Sequence, residues 1–307
     1  MVLNVTQDHL DWHGSLRAYA AAKARLLAMA RIAVVNRDDR LVRDMVQDLA
    51  GEQVRSFGAD TPALAGDLGL SAQHGLARLA AAPEVLADPA DQPAARRRRA
   101  VRDEPPARRP AVAAQALMPA EALRVPGTHN ALNALAALAL GRAIGLDWAP
   151  MLHAIRSYQG EAHRTEFVRA IAGVDFIDDS KGTNVGATLA ALQGLGRTVV
   201  LIAGGLGKGQ DFTPLAAAVR AHARAVLLIG QDGPVIAQAL ADCDVPLHAC
   251  ATLEDAVARS LDLAQPGDAV LLSPACASMD MFRNYAHRSA CFVEAVRELA
   301  AERGEVV

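Results

Sequence analysis

Short apolar runs alternate with helical segments along most of the chain. In the N-terminal part, the apolar spacing predicts helices over 15–29 and 41–49 and strands over 31–36 and 54–57. A strand-like run also opens the chain at residues 2–5. After residue 125 the pattern predicts two more helices, over 130–140 and 149–158.

The C-terminal part has the most regular alternation. Apolar strands are predicted over 174–178, 198–202, 225–229 and 269–272, and helices over 184–192, 215–223, 234–240, 253–264 and 282–300. Strands that are apolar on both faces and separated by helices are typical of a parallel, doubly wound α/β sheet. Such a sheet binds ligands at the carboxyl ends of its strands, where polar clusters follow at 179–181, 204–205 and 273–275.

Residues 91–110 break this pattern. They contain seven arginines, three acidic residues and four prolines, which predicts a solvated or disordered insertion. A basic patch for a polyanion is the alternative. It is disfavoured because the segment has no aromatic residue for base stacking, so we expect no nucleic-acid partner.

Composition and charge narrow the class of protein further. The chain has 307 residues, 52% of them hydrophobic, and a net charge of −3, which predicts about two domains without bias towards a polyanion. No run is apolar enough to span a membrane, and the N-terminus lacks the features of a signal peptide. The four cysteines lack zinc-ligand spacing and are expected to be reduced, buried thiols. A cytoplasmic protein without membrane contact is therefore expected.

Two candidate positions lie near the N-terminus. Asp8, His9 and Asp11 stand close together before a helix and could hold Mg²⁺ or a phosphate group, although His9 is equally compatible with a helix-capping or surface role. Lys23 lies among alanines on a predicted helix, where its position alone predicts only a solvated face.

Two asparagines mark a candidate base-binding position. Asn130 and Asn133 are three residues apart at a predicted helix start, so they share one face. Their carboxamides offer the donor and acceptor that an adenine edge requires. The alternative is a capping asparagine followed by an incidental one.

Further candidates follow the predicted C-terminal strands. Residues 178–184 place acids, Lys181 and hydroxyls before a helix N-terminus, which favours an anion. Residues 204–212 superficially resemble a phosphate-binding loop, but Ile202 and Gly209 stand where that loop needs Gly and Ser or Thr. We interpret this segment as a turn that presents Lys208.

The last polar segment, 273–280, joins a strand to a helix. Ser278 and backbone amides could bind a carboxylate there. Cys276 is a poor candidate nucleophile because no histidine base accompanies it in sequence.

Four segments follow one another along the chain in this order: NVTQDH, GTHNALN, DDSKGTN and SPACASMD. Through these segments the chain resembles the Mur ligases over nearly its whole length, except about 60–120. The resemblance implies the C-terminal part of a central ATPase domain over 1–163, with the insertion near 91–110. A Rossmann-like amino-acid domain would follow over 164–307. The family's UDP-binding domain and its G-T-N-G-K-[ST] loop do not occur in these 307 residues, so they are not expected to turn over ATP alone.

The resemblance also implies residue roles. His9 matches a histidine near Mg²⁺, Lys23 a carbamylated lysine that binds Mg²⁺, and Lys181 a third catalytic position. ATP contacts are implied at Asn130, Asn133, His163, Arg164 and Asp179. D-glutamate contacts are implied at Lys181, Thr183, Lys208, Ser278 and Tyr285. Tyr285 stands where the family usually has Phe, and Leu206 replaces a frequent Asp.

The implied reaction uses ATP and Mg²⁺ to join D-glutamate to UDP-N-acetylmuramoyl-L-alanine, for peptidoglycan, in a monomeric enzyme. ATP phosphorylates the alanyl carboxylate, and the D-glutamate amine then displaces phosphate. Two alternatives remain: a non-catalytic relic that binds D-glutamate, and a ligase similar to folylpolyglutamate synthase. The SPACASMD segment favours the D-glutamate-adding branch.

Overall fold

The computed structural model describes residues 1–73, 75–84, 109–125 and 127–305. They divide into two compact units: residues 1–5 and 17–158 form the first, and residues 6–16 and those from 159 onward form the second. Most of the predicted insertion over 91–110, and Pro126 of the turn before residue 127, lie outside the described residues.

Ten α-helices and eleven strands lie in the described residues. The helices are α1 (Leu10–His13), α2 (Leu16–Ala28), α3 (Arg40–Asp44), α4 (Thr128–Ala143), α5 (Trp148–Ser157), α6 (Val185–Gly194), α7 (Leu215–His222), α8 (Gly233–Ala239), α9 (Leu253–Leu263) and α10 (Tyr285–Glu302). The strands are β1 (Ala33–Asn36), β2 (Val54–Gly58), β3 (Leu68–Gln73), β4 (Leu76–Ala81), β5 (Gln115–Pro119), β6 (Glu166–Ile171), β7 (Val174–Asp178), β8 (Val199–Gly204), β9 (Ala223–Ile229), β10 (Leu247–Ala249) and β11 (Ala269–Leu272).

The first unit is built on a mixed five-stranded sheet in the order β1-β2-β3-β4-β5. Strands β1 to β3 pair in parallel, and β3 to β5 pair antiparallel. Helix α4 packs Leu135 and Leu138 against Phe57, Leu68 and Leu79. The sequence pattern missed β3, β4 and β5 because their many small residues have low strand propensity.

Arg109, the last arginine of the predicted insertion, corrects the expectation of a fully solvated segment. Its side chain is 9% exposed and lies 2.6 Å from an Asp67 carboxylate oxygen. The same oxygen accepts a hydrogen bond from the Ser56 amide at 2.7 Å. A buried charge requires such a partner, so Arg109 is part of the packed first unit.

The second unit contains a six-stranded sheet in the order β10-β9-β8-β11-β7-β6. The predicted strands β7, β8, β9 and β11 are present and parallel, as expected. The missed edge strand β6 pairs antiparallel to β7, so the sheet is not wholly parallel. Apolar cores cover both faces, as a doubly wound sheet requires.

The segment 6–16, expected in the N-terminal domain, packs on the second unit. The Asn184 side-chain amide donates to an Asp8 carboxylate oxygen at 3.1 Å. The Asp211 amide donates to the Gln7 side-chain oxygen at 2.9 Å. His9 therefore shares a compact unit with the loop that begins α6.

Two further predictions near the N-terminus were too long. The helix predicted over 41–49 is α-helical only in α3. The strand-like run over 2–5 forms a single bridge, between Val2 and Val35. In the part of the chain that the structure describes, no helix has the length and apolarity needed to cross a membrane.

Candidate functional site

Three loops of the second unit leave the carboxyl ends of three neighbouring strands. They are residues 179–184 after β7, 205–214 after β8 and 273–284 after β11. Because β11 lies between β8 and β7 in the sheet, the three loops begin side by side. This is the edge at which the sequence placed its candidate ligand-binding residues.

Two buried carboxyls lie where β7 ends and the first loop begins. Asp178 accepts from the Ser180 amide at 2.9 Å. Asp179 accepts from the Ser273 hydroxyl at 2.6 Å and from the Thr165 amide at 3.2 Å. Burial raises the pKa of Asp179 to about 7, against the opposing effect of these hydrogen bonds.

His163 belongs to the same hydrogen-bonding network. Its Nδ1 atom lies 3.1 Å from an Asp178 carboxylate oxygen and 2.7 Å from the Ser289 hydroxyl. Its backbone φ is +66°, a conformation uncommon outside glycine. The neighbouring Arg164 is exposed. The structure therefore brings the predicted residues His163 and Asp179 to one end of β7.

The two lysines predicted to meet D-glutamate have different surroundings. The Lys181 ammonium lies 3.9 Å from the centre of the Tyr285 ring. This cation–π contact links two predicted substrate residues, one in the first loop and one at the start of α10. Neither Lys181 nor Lys208 forms an ion pair with an acidic residue in the described part of the chain. Both ammonium groups can therefore serve an external carboxylate.

The second loop is a tight glycine turn. Gly205 has φ of +124°, and a side chain there would collide with the Ala277 carbonyl oxygen. The Gly207 amide donates to an Asp232 carboxylate oxygen at 2.6 Å. Lys208 itself has φ of +54°, so its backbone is held in a conformation that L-residues rarely adopt.

The third loop pairs with the second. Leu206 and Ala277 form an isolated antiparallel bridge, which places Ser278 beside the Lys208 turn in the backbone pattern. Ser278 is 3% exposed. Cys276 is fully buried, and burial raises the pKa of its thiol to about 12, so it is not a reactive nucleophile. Cys243 is also buried, whereas Cys250 and Cys291 are only half-buried.

Arg288 is a buried residue that sequence reasoning missed. It has no exposed surface, and its guanidinium donates to the Ser180 hydroxyl, the Ser180 carbonyl and the Cys276 carbonyl at 3.0, 2.8 and 3.2 Å. Burial lowers its pKa to about 10. An arginine on an amphipathic helix is normally exposed, so the sequence carries no signal for this role.

In the first unit, Asn130 and Asn133 share one face of α4, with an Asn133 amide nitrogen 3.5 Å from the Asn130 side-chain oxygen. The Lys23 ammonium donates to the Asn4 carbonyl at 3.2 Å and lies 4.7 Å from the centre of the Tyr19 ring. Lys23 is therefore not simply a solvated residue, as its position alone predicted.

The donors near His9 fit Mg²⁺ only as a partial shell. His9 Nε2 and an Asp8 carboxylate oxygen are 3.6 Å apart. Mg²⁺ is commonly bound by one or two carboxylates, with water and phosphate completing the shell. His163, Glu166 and Asp178 also cluster, but His163 and Asp178 are hydrogen-bonded to each other. That cluster is satisfied without an ion.

Two family models match this chain. Residues 163–276 match the Mur ligase glutamate ligase domain, and residues 1–82 match the Mur ligase middle domain. The chain belongs to the Mur ligase family. Its two matched segments follow each other in the order expected from the sequence motifs.

Curated relatives of this Mur ligase carry a more specific name. It is 60% identical to the UDP-N-acetylmuramoylalanine--D-glutamate ligase of Bordetella avium over 309 aligned residues, which cover 100% of this chain and 59% of the relative. It is 56% identical to the ligase of the same name from Burkholderia pseudomallei, covering 99% of this chain and 60% of the relative. The chain thus spans about three fifths of the length of these relatives.

Solved structures show the same fold at low identity. MurC from Thermotoga maritima aligns with a TM-score of 0.57 and 20% identity, over 96% of this Mur ligase and 58% of that chain. Folylpolyglutamate synthase of Mycobacterium tuberculosis, complexed with ADP, aligns with a TM-score of 0.61 and 16% identity, over 94% and 62%.

Proposed function

We propose that this chain is part of an ATP-dependent ligase that adds D-glutamate to UDP-N-acetylmuramoyl-L-alanine. The observation that carries this proposal is the set of three adjacent loops in the second unit, which hold Lys181, Thr183, Lys208 and Ser278 at one edge of the sheet. The 60% identity to a D-glutamate ligase supports the choice of amino acid.

In this proposal the second unit binds D-glutamate. An ammonium group on the glycine turn, at Lys208, faces one carboxylate of the substrate. Thr183 stands two residues before α6, so its hydroxyl and the backbone amides near that helix N-terminus serve the other carboxylate, together with the Ser278 hydroxyl of the third loop. Lys181, held against the Tyr285 ring, adds a second positive charge to the same edge.

The nucleotide is assigned to two groups of residues. Asn130 and Asn133 in the first unit are proposed to bind adenine, because their carboxamides share one helix face. His163, Arg164 and Asp179 in the second unit are proposed to contact the rest of ATP. The raised pKa of Asp179, about 7, leaves its carboxyl partly protonated near neutrality, which lessens repulsion of a phosphate.

His9 and a carbamylated Lys23 are the proposed protein ligands of Mg²⁺, with Asp8 as an additional oxygen donor. When bound, Mg²⁺ would neutralise negative charge on the transferred phosphoryl group. In the overall reaction the alanyl carboxylate receives the terminal phosphoryl group of ATP, and ADP is released. The D-glutamate amine then attacks the carbonyl carbon, and phosphate leaves as the amide bond forms.

The location and partners follow from this assignment. All three substrates are small molecules, and we propose that the chain acts in the cytoplasm as a monomer without nucleic acid or membrane partners. Its product enters peptidoglycan synthesis, which links the protein to cell-wall growth and division.

The test is a calorimetric or NMR titration of the 307-residue chain with D-glutamate and L-glutamate. We expect weak binding of D-glutamate and weaker binding of L-glutamate, whose amine points elsewhere when both carboxylates are held. Equal affinity for the two enantiomers, or no binding of either, would contradict the proposal.

A phosphate-release assay separates the ligase from the non-catalytic alternative. The 307 residues contain no phosphate-binding loop, so we expect no ATP turnover from this polypeptide alone. Joining it to the N-terminal two fifths of a curated relative should create activity with D-glutamate. D-glutamate binding without any activity in that chimera would favour a relic that only binds.

A further inference from the structure

One buried amide connects all three loops of the proposed D-glutamate site. Gln210 is only 7% exposed, although it closes a glycine-rich turn. Its Nε2 atom donates to the Gly207 carbonyl at 2.9 Å and to the Ala275 carbonyl at 3.3 Å. Its Oε1 atom accepts from the Val185 amide at 3.1 Å.

These partners define the orientation of the amide. A carboxamide has two N–H donors and one acceptor oxygen, and here two carbonyls face the nitrogen while one N–H faces the oxygen. Rotating the amide by half a turn would bring oxygen against both carbonyls. Gln210 therefore satisfies three buried backbone groups in a single geometry.

Each partner is close in sequence to a proposed substrate contact. Val185 begins α6, two residues after Thr183. Gly207 immediately precedes Lys208, and Ala275 stands three residues before Ser278. The Gln210 side chain thus connects the three backbone segments that carry the proposed D-glutamate contacts Thr183, Lys208 and Ser278.

Two of these backbones are strained. Lys208 and Ala275 have φ of +54° and +58°, which costs free energy for residues with a side chain. Such conformations persist only where the surrounding structure holds them. Gln210 donates hydrogen bonds to the carbonyl of Ala275 itself and to the carbonyl of Gly207, the residue before Lys208.

We propose that Gln210 is a positioning residue that sets the distances between Thr183, Lys208 and Ser278 and thereby gives the site its preference for D- over L-glutamate. This inference rests on the proposed function. The two enantiomers contain the same groups and differ only in their arrangement around one carbon. A site can separate them only if its own contacts are held in a fixed arrangement.

The experiment compares the dissociation constants of D- and L-glutamate for the 307-residue chain and for Gln210→Met. Methionine keeps the approximate volume but removes all three hydrogen bonds. We expect the affinity for D-glutamate to fall by about tenfold or more, and the ratio of the two constants to approach one. The ratio is the decisive quantity, because a smaller folded fraction lowers the apparent affinity for both ligands by the same factor.

Val257→Ala is the control for a loss of stability. Val257 is buried on α9 in the core beneath the sheet, and it belongs to none of the three loops. Removing its methyl groups should lower stability while leaving the ratio of dissociation constants unchanged. Gln210→Glu is the second variant: its carboxylate retains an acceptor for the Val185 amide but has no donor for the two carbonyls, so it should also lose the preference.

An unchanged ratio in Gln210→Met would overturn the inference. If that variant does not fold, Gln210→Glu decides in the same way, and failure of both to fold would show that Gln210 supports the fold rather than the site. If the wild type prefers D-glutamate and the Gln210 variants keep the same preference, only the role of Gln210 is refuted. Absence of D-glutamate binding to the wild type refutes the proposed function and this role with it.

Discussion

At the scale of single residues, the proposed site combines half-buried lysines with a nearly buried serine. Lys208 supplies an ammonium group with no ion-pair partner among the described residues, whereas Ser278 supplies a neutral hydroxyl from a nearly buried position. A hydrogen bond between charged groups is worth more than a neutral one. The two residues should therefore differ in their effect on binding.

Lys208→Ala should weaken D-glutamate binding by roughly 10- to 100-fold, since it removes the charge facing a carboxylate. Ser278→Ala should cost less, on the order of one neutral hydrogen bond, or ~1 kcal/mol. Isothermal titration calorimetry measures both, and Lys208→Arg serves as the control that keeps the charge. An equal loss in the two alanine variants would argue against the proposed division of roles.

Asp179 predicts a pH dependence of stability. The folded chain keeps this proton up to about pH 7, whereas the unfolded chain releases it near pH 4, so the carboxyl's contribution to stability falls as pH rises through this window. In Asp179→Asn this loss is absent. The stability of the variant relative to wild type should therefore rise by up to about 1.4 kcal/mol per pH unit between pH 4 and 7.

Urea unfolding of the two proteins at a series of pH values measures this difference. Asp262→Asn is the control, because Asp262 is exposed, with 70% of its side chain accessible. It should follow the wild type closely over the same range. A difference between wild type and Asp179→Asn that does not vary with pH would disprove the raised pKa.

At the scale of elements, the glycine turn after β8 is the most constrained part of the site. Gly204 and Gly205 both have φ of +124°, and a side chain at either would collide with a backbone carbonyl oxygen. Gly209 has φ of +74° but faces open space. The turn therefore contains glycines required for two different reasons.

Gly205→Ala should cost the second unit more stability than Gly209→Ala. The Gly209 variant bears only the backbone penalty, about 1 kcal/mol, whereas the Gly205 variant adds a steric clash that the turn must shift to relieve, bringing its cost to roughly 3 kcal/mol. Chemical denaturation monitored by circular dichroism compares them. Equal costs would mean that the turn is not held against the third loop as described.

At the scale of the whole molecule, the second unit has the features of an independent domain. Its two apolar cores are formed by residues between Ile171 and Ala300 and cover both faces of its sheet. The segment 6–16 adds contacts such as that between Asp8 and Asn184, but no residue of these cores.

A fragment of residues 159–307 should therefore fold by itself and unfold cooperatively. It should be slightly less stable than the same unit in the full chain, because the contacts of segment 6–16 are lost. Thermal unfolding followed by circular dichroism, together with the dispersion of its NMR spectrum, tests this. A fragment without a cooperative transition would show that the unit depends on the rest of the chain.

The sequence by itself determined the elements that have a strong periodic signal. Strands β7, β8, β9 and β11 are rich in apolar residues, and polar or small residues follow them, so both their existence and the edge where their loops meet could be predicted. The motifs in those loops were also sufficient to indicate the family. These features depend on neighbouring residues, which a sequence displays directly.

Only the tertiary structure revealed the antiparallel strands, the buried charged residues and the hydrogen bonds that hold the loops of the site. Strands β3, β4 and β5 are stabilised by pairing rather than by local propensity. Arg109, Gln210 and Arg288 are polar residues whose sequence context predicts exposure, yet each is buried against partners from distant segments. A polar group can be buried at low cost only when the fold brings hydrogen-bonding partners to it. These partners come from distant parts of the chain, so no local sequence pattern predicts them.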